Sequence, residues 1–289
     1  MSNAGFEDVR QTIAESLNRR FDTKFSAKNL IMTVGAASGL NVILKTILNP
    51  GEEVIVFAPY FLEYGAYVRN YDGVLVEISP DTTTFQPNLA EFEQKITPKT
   101  RAVIVNTPHN PTGVVYSEET IKKLSAILEA KQKEFGTVIY LISDEPYREL
   151  AYDGVEVPYL PIFIISYKIR LGVYTFCNYL LDQGRCIYTA KCTVCNGCCR
   201  DQLFASVCLI RDHQISDTFT RKGKRFAVGI AHNSIVIIFR QALYNGLKEC
   251  GFECIKPQGA FYLFVMIVYF KPYSAASFLN SGREFTIVS

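Results

Sequence analysis

With 289 residues, 48% of them hydrophobic, the chain is long enough to bury one large core or two smaller ones. Its 30 basic side chains nearly balance 28 acidic ones, and a net charge of +2 gives no reason to expect nucleic acid or a membrane surface as partner. No uncharged apolar run reaches the roughly 18 residues of a membrane-spanning helix, and the opening MSNAGFEDVRQ lacks a basic-then-apolar export pattern, so a soluble cytoplasmic protein is expected.

In chain order, residues 5–21 carry Val9, Ile13, Leu17 and Phe21 four apart, which predicts an amphipathic helix packed on a core. Residues 29–34 read as a short apolar strand. Gly35, Ala36, Ala37, Ser38 and Gly39 then open a helix that continues through Leu40, Val42, Ile43 and Ile47 to Pro50. Small residues at a helix N-terminus let free backbone N–H groups approach an anion, although a tight strand-to-helix turn would use the same residues. Gly51 and Glu52 turn into a strand at 54–57, and Pro59, Tyr60 and Phe61 mark its end. Asp72-Gly73 turns into a strand at 74–78, and 87–96 supply another helix.

Two stretches then organise the rest. In VIVNTPHNPTG (103–113) an apolar run breaks into polar residues, as a buried strand entering a loop does. In VIYLISDEPYREL (138–150) a second run ends in Ser143, Asp144 and Glu145, followed by Pro146 and Tyr147. A carboxylate at a strand tip is a site candidate, because open α/β sheets bind ligands beyond the carboxyl ends of their strands. Between them, 117–135 form a helix with Ser117 as cap, acidic residues in its first turn, and Ile121, Leu124, Ile127 and Leu128 on one face.

NTPHNPTG followed by SDEPYREL resembles the fold-type I, pyridoxal-phosphate-dependent aminotransferases of class I/II. The resemblance implies an α/β fold: a three-layer large domain with a mainly parallel sheet, and a partial α+β small domain. It implies pyridoxal 5′-phosphate as cofactor, an amino acid and a 2-oxo acid as substrates, and a homodimer. It also assigns roles. Asn110 and Tyr147 would reach the cofactor's phenolic oxygen, and Asp144 would pair with the ring nitrogen. A carboxylate there keeps the ring protonated and able to accept electrons. TVGAASGL, containing Gly35, resembles the phosphate cup, with the main-chain amides of Ala36 and Ala37 on the phosphate. Phe61 would stack on the ring. Taken singly, Asn110 would read as a turn residue, Asp144 as a helix cap and Phe61 as core.

The resemblance runs from Gly5 to about Pro161 and stops. The family next requires a Schiff-base lysine in a serine-containing loop, then an arginine for the phosphate, and nothing in 162–239 reads that way. That stretch holds seven of the nine cysteines, including Cys192, Cys195, Cys198 and Cys199. Thiolates at this spacing would suggest a cysteine-rich metal module or a redox site. The genetic code supplies a different account. Reading back from Phe239 toward Asp212 and replacing each residue by one with a reverse-complement codon permits KYYNNTVVGYSYSKSLSLPGERIGYLV, which is the missing family segment. The clustered cysteines become alanines in the same reading. The lysine codon is then read as Phe226 and the arginine codon as Thr218, and turned back the lysine would fall where Thr175 stands. Residues 1–161 are therefore expected to be the N-terminal part of the cofactor-binding large domain, 162–239 an inverted coding segment, and 240–289 a partial small domain. The apolar patches 162–165, 207–210 and 235–239 could supply strand-like filling.

From Arg240 the pattern resumes in RQALYNGLKECGFECIKPQGAFYLFV, which resembles a small-domain helix and the strand after it. SFLNSGREFTIV loosely continues it. The chain ends before the family's substrate-carboxylate arginine and begins after a family N-terminal segment. Cys250 and Cys254 read as buried thiols in a reducing compartment. No catalytic residue is identified, since Lys222 and Lys224 have no assigned place over the cofactor. Two readings follow: an aminotransferase by descent that is inactive as it stands, or a non-catalytic remnant that binds the cofactor or pairs with an intact subunit.

Overall fold

The structure, a computed structural model, describes residues 3–163, 170–173 and 225–266. Helix α1 (Glu7–Phe21) begins two residues after the expected start, because Gly5 is left-handed at φ +93 and lies against the Met32 side chain. Residues 30–34 form no strand. A 3-10 turn at Ala27–Asn29 leads into chain tied back by a single backbone bond, Met32 N to Ala4 O at 3.0 Å, with Ile31 and Val34 exposed. No neighbouring strand among the described residues pairs with them, so apolar content alone did not make a ladder.

From α2 (Gly35–Ile47) the chain alternates strand and helix: β1 (Glu53–Phe57), α3 (Glu63–Arg69), β2 (Val74–Ile78), α4 (Leu89–Lys95), β3 (Thr100–Asn106), α5 (Glu118–Phe135) and β4 (Tyr140–Asp144). A helical turn α6 (Leu160–Phe163) and β5 (Arg170–Val173) follow. The five strands form one parallel sheet in the order β2-β1-β3-β4-β5. The inner strands are nearly continuous in apolar residues because helices cover both faces.

The period of two sorts their side chains. Ile55, Phe57, Val103, Val105 and Leu141 share one buried cluster with Phe92, Ile121, Leu124 and Leu128 of α4 and α5. Val54, Val56, Ala102, Ile104 and Ile142 join the other, with Leu40, Leu44, Tyr64, Tyr67 and Val68 of α2 and α3. This is the expected three-layer α/β architecture, and each fully buried aliphatic or phenyl side chain contributes about 1.5–3 kcal/mol. Ser117 caps α5 as expected, its Oγ accepting from Thr120 N at 3.0 Å, and Gly136 ends that helix at φ +65.

Beyond the sheet, α7 (Arg225–Glu249) runs through the expected boundary at 239/240, and the β-branched stretch 235–239 is helical. Likewise Ile162 belongs to the helical turn α6. Phe226 lies in α7; Thr175, Thr218, Lys222, Lys224, the four clustered cysteines, 207–210 and SFLNSGREFTIV fall outside the described residues. A short antiparallel pair, β6 (Glu253–Cys254) and β7 (Val265–Met266), flanks the PQGAFY segment, which is not itself a strand. Cys254 is buried as expected, whereas Cys250, in the turn that ends α7, is exposed. Among the described residues, no helix is long and apolar enough to cross a membrane.

Candidate active site

The sheet positions the site. Strand order reverses between β1 and β3, since β1 connects to β2 on one side while β3 lies on the other, and such switch points open a crevice at the carboxyl ends. The parallel register sets Asn106, the last residue of β3, beside Asp144, the last residue of β4. Asp144 is thus a strand-end residue and no helix cap. Asn106 ties the two loops together: its Nδ2 donates to Asp144 O at 2.8 Å and its Oδ1 accepts from Asn110 N at 2.6 Å.

These ends open into a cavity of about 190 Å³ lined by Ala36, Ala37, Phe61, Asn110, Asp144 and Tyr147, together with Leu40, Glu63, Tyr64, Tyr67, Asn106 and Pro146. Six of the seven residues picked from sequence therefore meet around one space. Gly35 begins α2 at φ +78, and the two alanines after it form the wall. At that end of the helix the first N–H groups have no intrahelical partner. Phe61 presents its ring edge-on to Tyr64, with centroids 5.6 Å apart. Pro59, Tyr60 and Phe61 lie beyond the end of β1, in the turn before α3.

Tyr64 was not legible as a site residue, and it makes the closest contact with the key carboxylate. Its hydroxyl donates to Asp144 Oδ2 at 2.5 Å, with both side chains buried. The other oxygen, Oδ1, is buried without a partner among the described residues. Burial pushes the Asp144 carboxyl up to about 6; the Tyr64 hydrogen bond opposes that shift and the neighbouring charge of Glu145 adds to it. Burial and the Asp144 charge hold the Tyr64 hydroxyl well above the usual phenol range, so it stays a proton donor. Tyr67 donates to Glu63 on the same wall.

Tyr147 carries a second unforeseen contact. Its hydroxyl lies 2.7 Å from that of Tyr262, in the C-terminal described part, and burial raises it far above the usual range. In the loop between, His109 is buried, its Nδ1 2.7 Å from Thr112 Oγ1, and its ring stacked on Tyr116 at 5.4 Å. Burial lowers its pKa to about 3, so this ring is a neutral structural part of the loop.

Residues 1–177 match the family model for aminotransferase class I and II. A protein described as "Probable aspartate/prephenate aminotransferase" from Thermus aquaticus is 30% identical over 276 residues, covering 93% of this chain and 69% of that protein. The aspartate/prephenate aminotransferase of Thermus thermophilus is 38% identical over 152 residues, which is 52% of this chain and only 38% of that protein. Among solved structures, an amino transferase from Eubacterium rectale superposes with a TM-score of 0.71 at 36% identity, covering 92% of this chain and 67% of the other. A mutant aspartate aminotransferase from Thermus thermophilus gives 0.69 at 26% identity, covering 91% and 71%. The chain belongs to the class I and II aminotransferases, a family of enzymes.

Proposed function

We propose that this chain forms the cofactor cup of a pyridoxal-phosphate-dependent aminotransferase and that, as it stands, it binds the cofactor without transferring amino groups. The observation that carries the reading is Asp144 in the cavity wall, with Oδ2 held by Tyr64 and Oδ1 left without a donor among the described residues. A buried acceptor of this kind needs a donor, and a protonated ring nitrogen is one. The free amides of Ala36 and Ala37 suit the phosphate, Phe61 suits the ring face, and Asn110 with Tyr147 suits the phenolic oxygen. Bound there, pyridoxal phosphate supplies an electron sink for chemistry at an amino acid's α-carbon.

The chain's own contribution is then binding and proton control. Asp144 holds the proton on the ring nitrogen, and Tyr64 fixes which carboxylate oxygen is available to do so. The sequence has Thr175 where the family has its lysine, so the covalent anchor and the base for the α-proton are both lacking. A positioned base alone contributes typically about 10²–10⁴-fold. The family's substrates, an amino acid and a 2-oxo acid, and its homodimer are carried over with this reading. A cytoplasmic setting is proposed as well; free thiols at Cys250 and Cys254 suit a reducing compartment.

Equilibrium dialysis of pyridoxal phosphate against the parent chain and Asp144→Asn tests the cup. Saturable binding that weakens about tenfold or more in the variant is expected, from the loss of a buried charge-assisted hydrogen bond. Equal affinity of the two chains would remove Asp144 from the site.

A further inference from the structure

We infer that Tyr262 is a positioning residue for this site: it donates its hydroxyl proton to Tyr147, and so leaves the Tyr147 proton directed at the ligand's phenolic oxygen. The inference rests on the cofactor reading above and adds to it a residue from the other end of the chain.

The two hydroxyl oxygens are 2.7 Å apart, so one proton lies between them. Each phenol has a single proton to give and lone pairs to accept with. If Tyr147 used its proton on Tyr262, it would present only lone pairs to a ligand oxygen. With Tyr262 as donor, Tyr147 becomes a donor toward the cavity it lines. Hydrogen bonds chained in this way strengthen one another in a low-dielectric setting.

The fold holds Tyr262 in place for that purpose from two sides. Gly113 O, in the loop that carries Asn110, accepts from Gln258 N at 2.8 Å and from Gly259 N at 2.9 Å. Leu150 O, in the loop that carries Tyr147, accepts from Ala260 N at 2.8 Å. Gln258 Oε1 accepts from Val115 N at 2.9 Å. The rings are locked as well: Phe261 and Tyr262 both meet Tyr147 edge-on, with centroids 5.0 and 5.4 Å away. A segment tied down by these four hydrogen bonds, with the Tyr262 ring set against Tyr147 and its hydroxyl on that of a cavity residue, has the geometry of an orienting group.

The test uses pyridoxine 5′-phosphate, which keeps the phosphate, ring nitrogen and phenolic oxygen and has no aldehyde to react with lysines. Its ultraviolet spectrum reports ionisation of the bound phenol, and a titration gives its affinity. Tyr262→Phe keeps the ring contacts and removes one oxygen. The inference expects binding about 3–10-fold weaker, from one lost hydrogen bond, and bound-phenol ionisation moved to higher pH. Tyr147→Phe should do the same, and the double variant should be no worse than Tyr147→Phe alone. Parent-like spectrum and affinity in Tyr262→Phe would overturn the inference while leaving the cup intact. Fully additive losses would also overturn it, since Tyr262 would then act other than through Tyr147. Loss in Tyr262→Phe of the far-ultraviolet dichroism kept by Tyr147→Phe would make the oxygen structural and overturn it too. A parent chain that does not bind the probe saturably would overturn the cofactor reading and this inference with it.

Discussion

Tyr64 Oη donates to Asp144 Oδ2 across 2.5 Å, joining helix α3 to the end of strand β4 between two buried side chains. This single contact leaves one carboxylate oxygen occupied and the other, Oδ1, without a partner among the described residues.

Tyr64→Phe should therefore destabilise the cofactor-free chain by about 1–3 kcal/mol at pH 7, the cost of a buried acceptor losing its donor. The loss should shrink below pH 5, where Asp144 is protonated and needs the donor less. Urea unfolding at the two pH values measures it. An identical loss at both would mean that the hydroxyl does not act through the charge of Asp144.

The Asp144 carboxyl rises from 3.8 to about 6, first through burial. Between those values the folded chain binds the extra proton, so this group's contribution to stability is full below pH 3.8 and is lost as pH rises through about 6. A shift near two units corresponds to on the order of 3 kcal/mol. Asp144→Asn removes the effect, and the parent should lose stability relative to the variant by that order between pH 4 and 7. A pH-independent difference would refute the assignment.

His109 contributes the opposite slope. Burial lowers it from 6.5 to about 3, so the unfolded chain takes the proton first. Its stability contribution is full above pH 6.5 and falls by on the order of 5 kcal/mol as pH drops to about 3. The difference in unfolding free energy between His109→Gln and the parent, followed over that range, should narrow in the variant's favour toward low pH. A difference that stays constant would mean the ring protonates without leaving its site.

Gly113 should not tolerate a side chain. It sits at φ +70, and a Cβ there would lie 2.7 Å from Pro257 Cβ and 2.8 Å from Tyr262 O. Gly113→Ala should cost about 1–3 kcal/mol from overpacking, and more from the left-handed backbone. It should also expose the 257–262 segment to protease before the sheet is attacked. Cleavage no faster than in the parent would show that the segment is not held there.

What could be read from sequence follows from how each feature is encoded. Strands β1, β3 and β4 and helix α5 announce themselves through continuous or periodic apolar residues, and Asp144 and Asn110 through the polar breaks that end two strands. Tyr64 does not, because a tyrosine three residues after Phe61 looks like its core neighbour Tyr67 until the helix is docked on β4. Tyr262 is invisible for another reason: its partner Tyr147 is far away in the chain, and only tertiary packing joins them. The stretch 235–239 is rich in isoleucine and valine, which lose side-chain freedom in helices, but that preference is small and the helix continuing to Glu249 overrides it.

The most direct test of the account is borohydride reduction of the chain saturated with a near-equimolar amount of pyridoxal phosphate, followed by peptide mapping. Saturable binding, a free-aldehyde spectrum and no single lysine carrying reduced cofactor are expected. Stoichiometric cofactor fixed to one lysine would contradict it, because the chain would then possess the anchor and base that the proposed function takes to be missing.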